Sequence, residues 1–358
     1  MIKNRFTDEK ADISLLAKLC DANGPSGYED EIRDIIIAEI SPYVNKLKID
    51  KMGNLIAFKK GGSPLPRPLM FDAHMDEVGF MITRVTDEGY LKFGTVGGID
   101  PGILAAKRVT VGKNALPGVI ASKAVHMMSR EDKAAPVKLS GLFCDIGARS
   151  REEALEHVSV GDYICFDSKL CRMGCEDSYV KAKALDDRLG CWLLINMIKS
   201  DLEYDTYFSF SVQEEPGCRG AKVSAFGIDP YIGVAIDATT AGDVDGVTGM
   251  NTVCSQGKGG VISLADGACV YDKALFDMIT SAAAENGIKV QPKLRATGGN
   301  NASSLQRAAS GARVCALSAP ARYIHSPSST VKISDMTEMQ NLLLLMVGVF
   351  GRETIEKN

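Results

Sequence analysis

The sequence predicts an α/β protein: a discontinuous domain built on a mixed sheet flanked by helices, interrupted by a small inserted domain of β-barrel-like, PDZ-like texture. Three observations predict it. Helical and strand patterns alternate in the first quarter of the chain and again in its second half; the stretch between is a series of short β-like runs closed by glycine turns; and no internal repeat or low-complexity segment competes with that division. We therefore expect residues 1–76 and 176–358 to form one domain and residues 77–175 the insert.

The first helix is expected over Ala11 to Ala22, where Ile13, Leu16, Ala17 and Cys20 recur at helical spacing. A second should begin after Ser26, whose spacing to Glu29 fits a capping box, with Ile32, Ile35, Ile36 and Ile40 on its buried face. Short strands follow around the turn Lys51-Met52-Gly53-Asn54, then a Gly- and Pro-containing loop from Gly61 to Pro68 and a buried strand at Leu69-Met70-Phe71. The insert should hold strands at Gly79 to Val85, Tyr90 to Thr95, Arg108 to Val111, Gly118 to Ile120 and Asp162 to Phe166. Beyond it, alternation resumes with Arg188 to Lys199, Tyr207 to Val212, Ile232 to Ile236, Asp272 to Gly287, Val314 to Ser318 and Asp335 to Phe350.

Composition narrows the function. With 358 residues, 45% of them hydrophobic, the chain can bury a large core, and a net charge of -4 offers no basic surplus to neutralise a phosphate backbone, so nucleic acid is not an expected partner. The start has no apolar core of the kind a secretion signal needs, and no run of about 18 apolar residues occurs, so neither export by that route nor a membrane span is expected. Ten Cys scattered through apolar runs read as small buried hydrophobes in a reducing, cytoplasmic setting, without disulfides.

In open α/β sheets ligands bind beyond the carboxyl ends of the strands. Four apolar strand runs lead there into metal-ligand types: His74, Asp76 and Glu77 after Phe71; Glu214 and Glu215 after Val212; Asp237 after Ile236; and His325 a few residues beyond Ser318. A fifth element, Asp186-Asp187, precedes a helix. Either could be its N-cap, but not both, which frees one carboxylate to bridge two ions; a cis peptide between them would aim both side chains, although non-proline cis bonds are rare. Of the four His, His126 and His157 lack acidic company at a strand end and read as ordinary residues. Two His and three carboxylates suit a pair of borderline divalent ions, zinc first and cobalt or manganese next. Of the adjacent Glu214 and Glu215, one would face metal while the other takes a proton from metal-bound water. Asp76 would orient the ring of His74. No P-loop, second Cys pair or nucleophile elbow offers a rival chemistry.

Taken together and in order, Ala73-His74-Met75-Asp76-Glu77-Val78-Gly79, Ala184-Leu185-Asp186-Asp187-Arg188, Gln213-Glu214-Glu215-x-Gly217-x-Arg219-Gly220-Ala221, Asp237 and Arg322-Tyr323-x-His325-Ser326-Pro327 resemble the M42 family of dinuclear metallo-aminopeptidases. The resemblance implies one ion on His74, Asp186 and Asp237, a second on Asp186, Glu215 and His325, and Glu214 as general base. It further implies removal of N-terminal residues from short peptides, and a homo-oligomer, a dodecamer in the tetrahedral members, whose subunits the inserted domain helps to pair. One position departs: Asn301, in Gly298-Gly299-Asn300-Asn301-Ala302, replaces an acidic residue expected close to the substrate, which leaves the preferred N-terminal residue open. Two other readings stand beside the aminopeptidase. One is an endoglucanase-type glycosidase using paired carboxylates; the other is a catalytically silent oligomeric scaffold.

Overall fold

The computed structural model describes residue 7 and residues 13–357, so the expected helix start at Ala11 lies outside the described residues. Strands β1 (Lys46–Ile49), β2 (Leu55–Lys59) and β3 (Leu69–His74) lead into β4 (Gly79–Val85), β5 (Leu91–Val96), β6 (Arg108–Val111), β7 (Leu116–Ser122), β8 (Leu142–Asp145) and β9 (Tyr163–Phe166), which close into a barrel. A ribbon of β10 (Cys171–Met173) and β11 (Tyr179–Ala182) follows. The chain then adds β12 (Thr206–Ser211), β13 (Ile232–Thr240), β14 (Gly260–Ile262), β15 (Val290–Pro292) and β16 (Arg313–Ala321), and β17 (Ser329–Lys332) pairs back onto β11.

The main sheet has the order β1-β2-β12-β3-β13-β16-β14-β15. Its centre, β12, β3, β13 and β16, is parallel, while β1, β2 and β14 run antiparallel to their inner neighbours, so the sheet is mixed as predicted. Central parallel strands are covered on both faces, and β3 accordingly has no exposed residue. Alternate residues point to opposite faces. Leu69, Phe71, Val234 and Ile236 join one core, packed under the helices Leu185–Lys199 and Ile333–Glu356; Met70, Ala235, Val314 and Ala316 join another, under Arg219–Ile228 and Ala302–Gln306. The helix Leu185–Lys199 is apolar nearly all round and correspondingly buried, lying between the sheet and the helices Ile13–Asp21, Asp30–Ile40 and Ile333–Glu356.

Three local expectations are corrected. Ser26 and Glu29 make no capping box: the helix begins at Asp30 without a side-chain cap, and the Ser26 hydroxyl instead donates to the buried carboxylate of Asp76 at 2.6 Å. A charged acceptor outcompetes a backbone cap. The barrel needs a sixth strand, β8, whose four residues bury only Leu142 and Cys144, too short a run to stand out in sequence. Cys171 and Cys175 are exposed rather than core residues, because they lie on the β10–β11 ribbon at the surface. Seven other cysteines are buried as expected and Cys218 is half-buried; all ten are free thiols.

Candidate metal centre

The parallel strands end on one edge, and the expected residues gather there. His74 is the last residue of β3; Gln213–Glu215 follow β12; β13 runs three residues past Asp237, further than expected; and His325 follows β16. His74 and Asp237 continue the sheet face that carries Met70 and Ala235. Across this edge lies the start of the helix Leu185–Lys199, where Asp186 and Asp187 have non-helical backbone angles and the peptide between them is cis. The two carboxylates divide as one cap and one free group. Asp187 accepts from the Gly190 amide at 2.9 Å and from the His74 amide at 3.3 Å, whereas Asp186 faces the imidazoles.

His74 Nε2 lies 3.2 Å from Asp186 Oδ1 and 3.8 Å from Asp237 Oδ1; His325 Nε2 lies 3.4 Å from Asp186 Oδ2 and 3.5 Å from Glu215 Oε2. The five residues thus form two triads, His74–Asp186–Asp237 and Asp186–Glu215–His325, each with donor atoms within 4.8 Å of one another. Asp186 belongs to both, one oxygen turned to each imidazole. His126 and His157 are exposed, one between β7 and β8 and the other before β9, and neither joins these groups.

Electrostatics reflect the crowding. Burial, reinforced by the charge of Asp186, pushes the carboxyls of Asp237 and Glu215 well above their usual range. Burial acts on Asp186 too, but hydrogen bonds from His325 and His74 outweigh it and hold that carboxyl below the usual range. Burial would lower His325; Asp186 and Glu215 overcome it and raise the imidazole to about 9. Carboxylates buried this close together call for positive charge among them, and a set of imidazole nitrogens and carboxylate oxygens is one that borderline divalent cations accept.

Around the triads stand the supporting groups. Asp76, fully buried, places Oδ1 3.3 Å from His74 Nδ1 and accepts the amides of Glu214 at 2.9 Å and Glu215 at 3.1 Å. Burial raises the Glu214 carboxyl, and its Oε1 accepts from the Cys218 thiol at 3.2 Å. Cys218 escaped the sequence reading because nothing in Glu215-Pro216-Gly217-Cys218 marks its thiol; only the turn, with Gly217 and Cys218 at positive φ, folds it back onto the residue four before it. The segment after β5 also contributes: the backbone of Gly98 hydrogen-bonds His325.

Asn301 is not where it was expected. It is 2% exposed, and its amide nitrogen donates to Asp72 at 2.8 Å and Ser211 at 2.9 Å, beneath the site rather than facing a substrate. The helix Ala302–Gln306 packs on the far core's face of β13 and β16, which carries its N-cap inward.

The chain has relatives in sequence and in fold. The profile of the M42 glutamyl aminopeptidase family matches residues 53–342. An inferred aminopeptidase of Acetivibrio thermocellus is 38% identical over 339 residues, covering 94% of this chain and 98% of its own. The TET aminopeptidase of the marine sediment archaeon Thaumarchaeota archaeon SCGC AB-539-E09 superposes with a TM-score of 0.92 at 29% identity, covering 98% of this chain and 99% of its own. The Pyrococcus horikoshii TET1 peptidase, which assembles into a tetrahedron or a large octahedral shell, gives 0.81 at 36% identity over 94% and 98% of the two chains. The chain belongs to the M42 aminopeptidase family and is a peptide-bond hydrolase.

Proposed function

We propose that this aminopeptidase works with two divalent ions, one held by His74, Asp186 and Asp237 and the other by Asp186, Glu215 and His325, with Glu214 as general base. One observation carries the reading: the donors fall into two triads that share Asp186, while Glu214, beside them, belongs to neither. Zinc suits this donor set best, with cobalt or manganese next. Ions so held supply Lewis-acid polarisation of a peptide carbonyl and make water more acidic.

The chain's own residues do the rest. Glu214 takes the proton of the attacking water and returns it to the departing amine nitrogen. Its raised carboxyl suits both steps, and the Cys218 thiol fixes one of its oxygens, leaving the other to face the water. Asp76 sets the ring of His74 and, through the amides of residues 214 and 215, the base and a ligand together. The substrates are short peptides with a free N-terminus. Nucleic acid is not a partner for a chain of net charge -4, and no helix among the described residues is long and apolar enough to cross a membrane. Ten free thiols suit a reducing cytoplasm. The tetrahedral relatives support self-assembly, with twelve copies as the expected particle and the insert, which exposes Val125 and Met127, pairing subunits. Size-exclusion chromatography tests that.

For the chemistry, Glu214→Gln should leave metal content unchanged and abolish amino-acid release, whereas wild type should turn over in zinc or cobalt and lose activity to a chelator. No release by wild type from any unblocked dipeptide or tripeptide, with both metals tried, would overturn the proposal and favour the scaffold. A glycosidase would be indifferent to the chelator, since a carboxylate pair needs no metal.

A further inference from the structure

The segment before the helix Asp30–Ile40 is spaced like a capping box, yet neither of its polar residues caps. Ser26 is 8% exposed and Glu29 5% exposed, and both side chains point away from their own helix toward the loop after β12. Glu29 Oε1 accepts the amide of Gln213 at 3.2 Å and that of Gly27 at 2.8 Å. The next two amides, of Glu214 and Glu215, go to Asp76, whose Oδ2 also takes the Ser26 hydroxyl at 2.6 Å. Three successive amides are thus held by two buried carboxylates, and the loop enters through Gln213 in the left-handed region at φ 55°, a conformation a non-glycine residue keeps only when its surroundings fix it.

The segment is itself anchored on its other sides. Gly24 and Glu77 exchange bonds, the Gly24 amide to Glu77 Oε1 at 3.1 Å and the Glu77 amide to the Gly24 carbonyl at 3.0 Å, while the Tyr28 hydroxyl donates to the Gly161 carbonyl of the insert at 2.5 Å. A fixed segment holding a strained loop determines where the side chains of that loop point.

We propose that Ser26 and Glu29 are positioning residues: with Asp76 they hold the amides of residues 213–215 and so set the direction in which Glu214 and Glu215 present their carboxylates. The inference rests on the roles given to Glu214 and Glu215 above. Neither residue touches substrate. Loss of the Ser26 hydroxyl leaves Asp76 Oδ2 with the Glu215 amide alone and loosens the carboxylate, which is then held on that side by one bond; loss of Glu29 releases the Gln213 amide and the left-handed entry.

The test compares wild type, Ser26→Ala, Ser26→Thr and Glu29→Ala as full chains. Three quantities are read: affinity for Zn²⁺ and Co²⁺ by competition with a chromophoric chelator, kcat and KM on the best aminoacyl-para-nitroanilide, and Tm. Ser26→Ala and Glu29→Ala should weaken the more loosely held ion about tenfold, the low end for partners of metal ligands, and lower kcat to a similar degree with KM nearly unchanged. Ser26→Thr, which keeps the hydroxyl, should restore both. Metal affinity and kcat within about twofold of wild type in Ser26→Ala and Glu29→Ala, even with a lowered Tm, would reduce the segment to a structural role and overturn the proposal. A wild type that binds metal but releases no amino acid would sink the aminopeptidase chemistry alone, because the affinities still judge Ser26 and Glu29. A wild type that binds neither ion would sink both.

Discussion

Replacing Glu77 by Gln should destabilise the fold strongly. The Glu77 side chain is 2% exposed and meets Lys183, 2% exposed, with Oε1 and Oε2 at 2.7 and 3.0 Å from Nζ; Arg188, 0% exposed, adds Nη2 at 3.4 Å. The two cations are otherwise held by neutral oxygens. Lys183 reaches the Ala22 carbonyl and Asn23 Oδ1, and Arg188 reaches the carbonyls of Met75, Leu19 and Gly24. At an effective dielectric of about 20, a charge pair near 3 Å is worth on the order of 5 kcal/mol, and breaking a buried pair from one side costs roughly 3–5 kcal/mol because a charge is left alone. Glu77→Gln should therefore cost roughly 3–5 kcal/mol, and Lys183→Met somewhat less, since Arg188 and the Gly24 amide still face Glu77. The double variant removes the pair together and should cost clearly less than the sum, with a coupling of at least about 2 kcal/mol. Urea unfolding at fixed subunit concentration, followed by the fluorescence of Trp192, reads this directly: it is the chain's one tryptophan, fully buried on the helix that carries Arg188. A Glu77→Gln cost below about 1 kcal/mol, or strict additivity, would refute the argument.

Gly97 has φ +83°, and a Cβ there would stand 2.8 Å from Val78 Cγ1 and 3.1 and 3.2 Å from the Glu215 side chain. Gly97→Ala should displace Glu215 and, on the proposed two-ion reading, drop bound metal from two ions toward one per subunit by elemental analysis; unchanged metal content with full turnover would refute it. Burial raises the Glu29 carboxyl to about 7, above its usual 4.5, so the fold favours the protonated form and loses stability as pH rises between those values. Glu29→Gln keeps an acceptor without the charge and should be more stable than wild type by at most about 3 kcal/mol at pH 8, with no gain below pH 4.5; paired melts at the two pH values check the sign. Asn301→Asp would replace the amide that bonds Asp72 at 2.8 Å with a second carboxyl, beside a group that burial has already raised to about 6. The pair must share a proton, so this variant should unfold more easily as pH rises above about 6 and approach wild type near pH 4. An equal loss in urea melts at both would count against the shared proton.

The main sheet was readable because its central strands carry long apolar runs between turn signals, as at Leu69–Phe71 and Ile232–Ile236. Their ends were less so: β13 runs on through Asp237 to Thr240 because its partner β16 stays in register to Ala321, a pairing that no local pattern announces. The same limit hid β8, defined by its neighbours β5 and β7 rather than by its own four residues. It also hid the helix Arg219–Ile228, which begins where Gly220 lets the chain turn hard against the Val212 carbonyl, a Cβ there falling 2.3 Å from that oxygen. Local signals specify what buries itself, while partners specify where an element stops.

Within the candidate site, the residues legible in sequence were the ones whose chemistry is unusual at a strand end: His74, Glu214, Glu215, Asp237 and His325. Apart from Asp76, what holds them was not legible, because Ser26, Glu29, Cys218 and Gly98 are commonplace residues whose role depends on a fold that brings together positions as far apart along the chain as Gly98 and His325. Asn301 makes the converse point. The family resemblance suggested substrate contact, but the amide lies under β3, bonded to Asp72 two residues before His74. A change at 301 should therefore act through the strand that carries His74, and on the proposed two-ion reading it should alter the geometry of that site before it alters the choice of N-terminal residue. Determinants of that choice have to be sought among residues with side chains open to the site, and position 301 has none to offer.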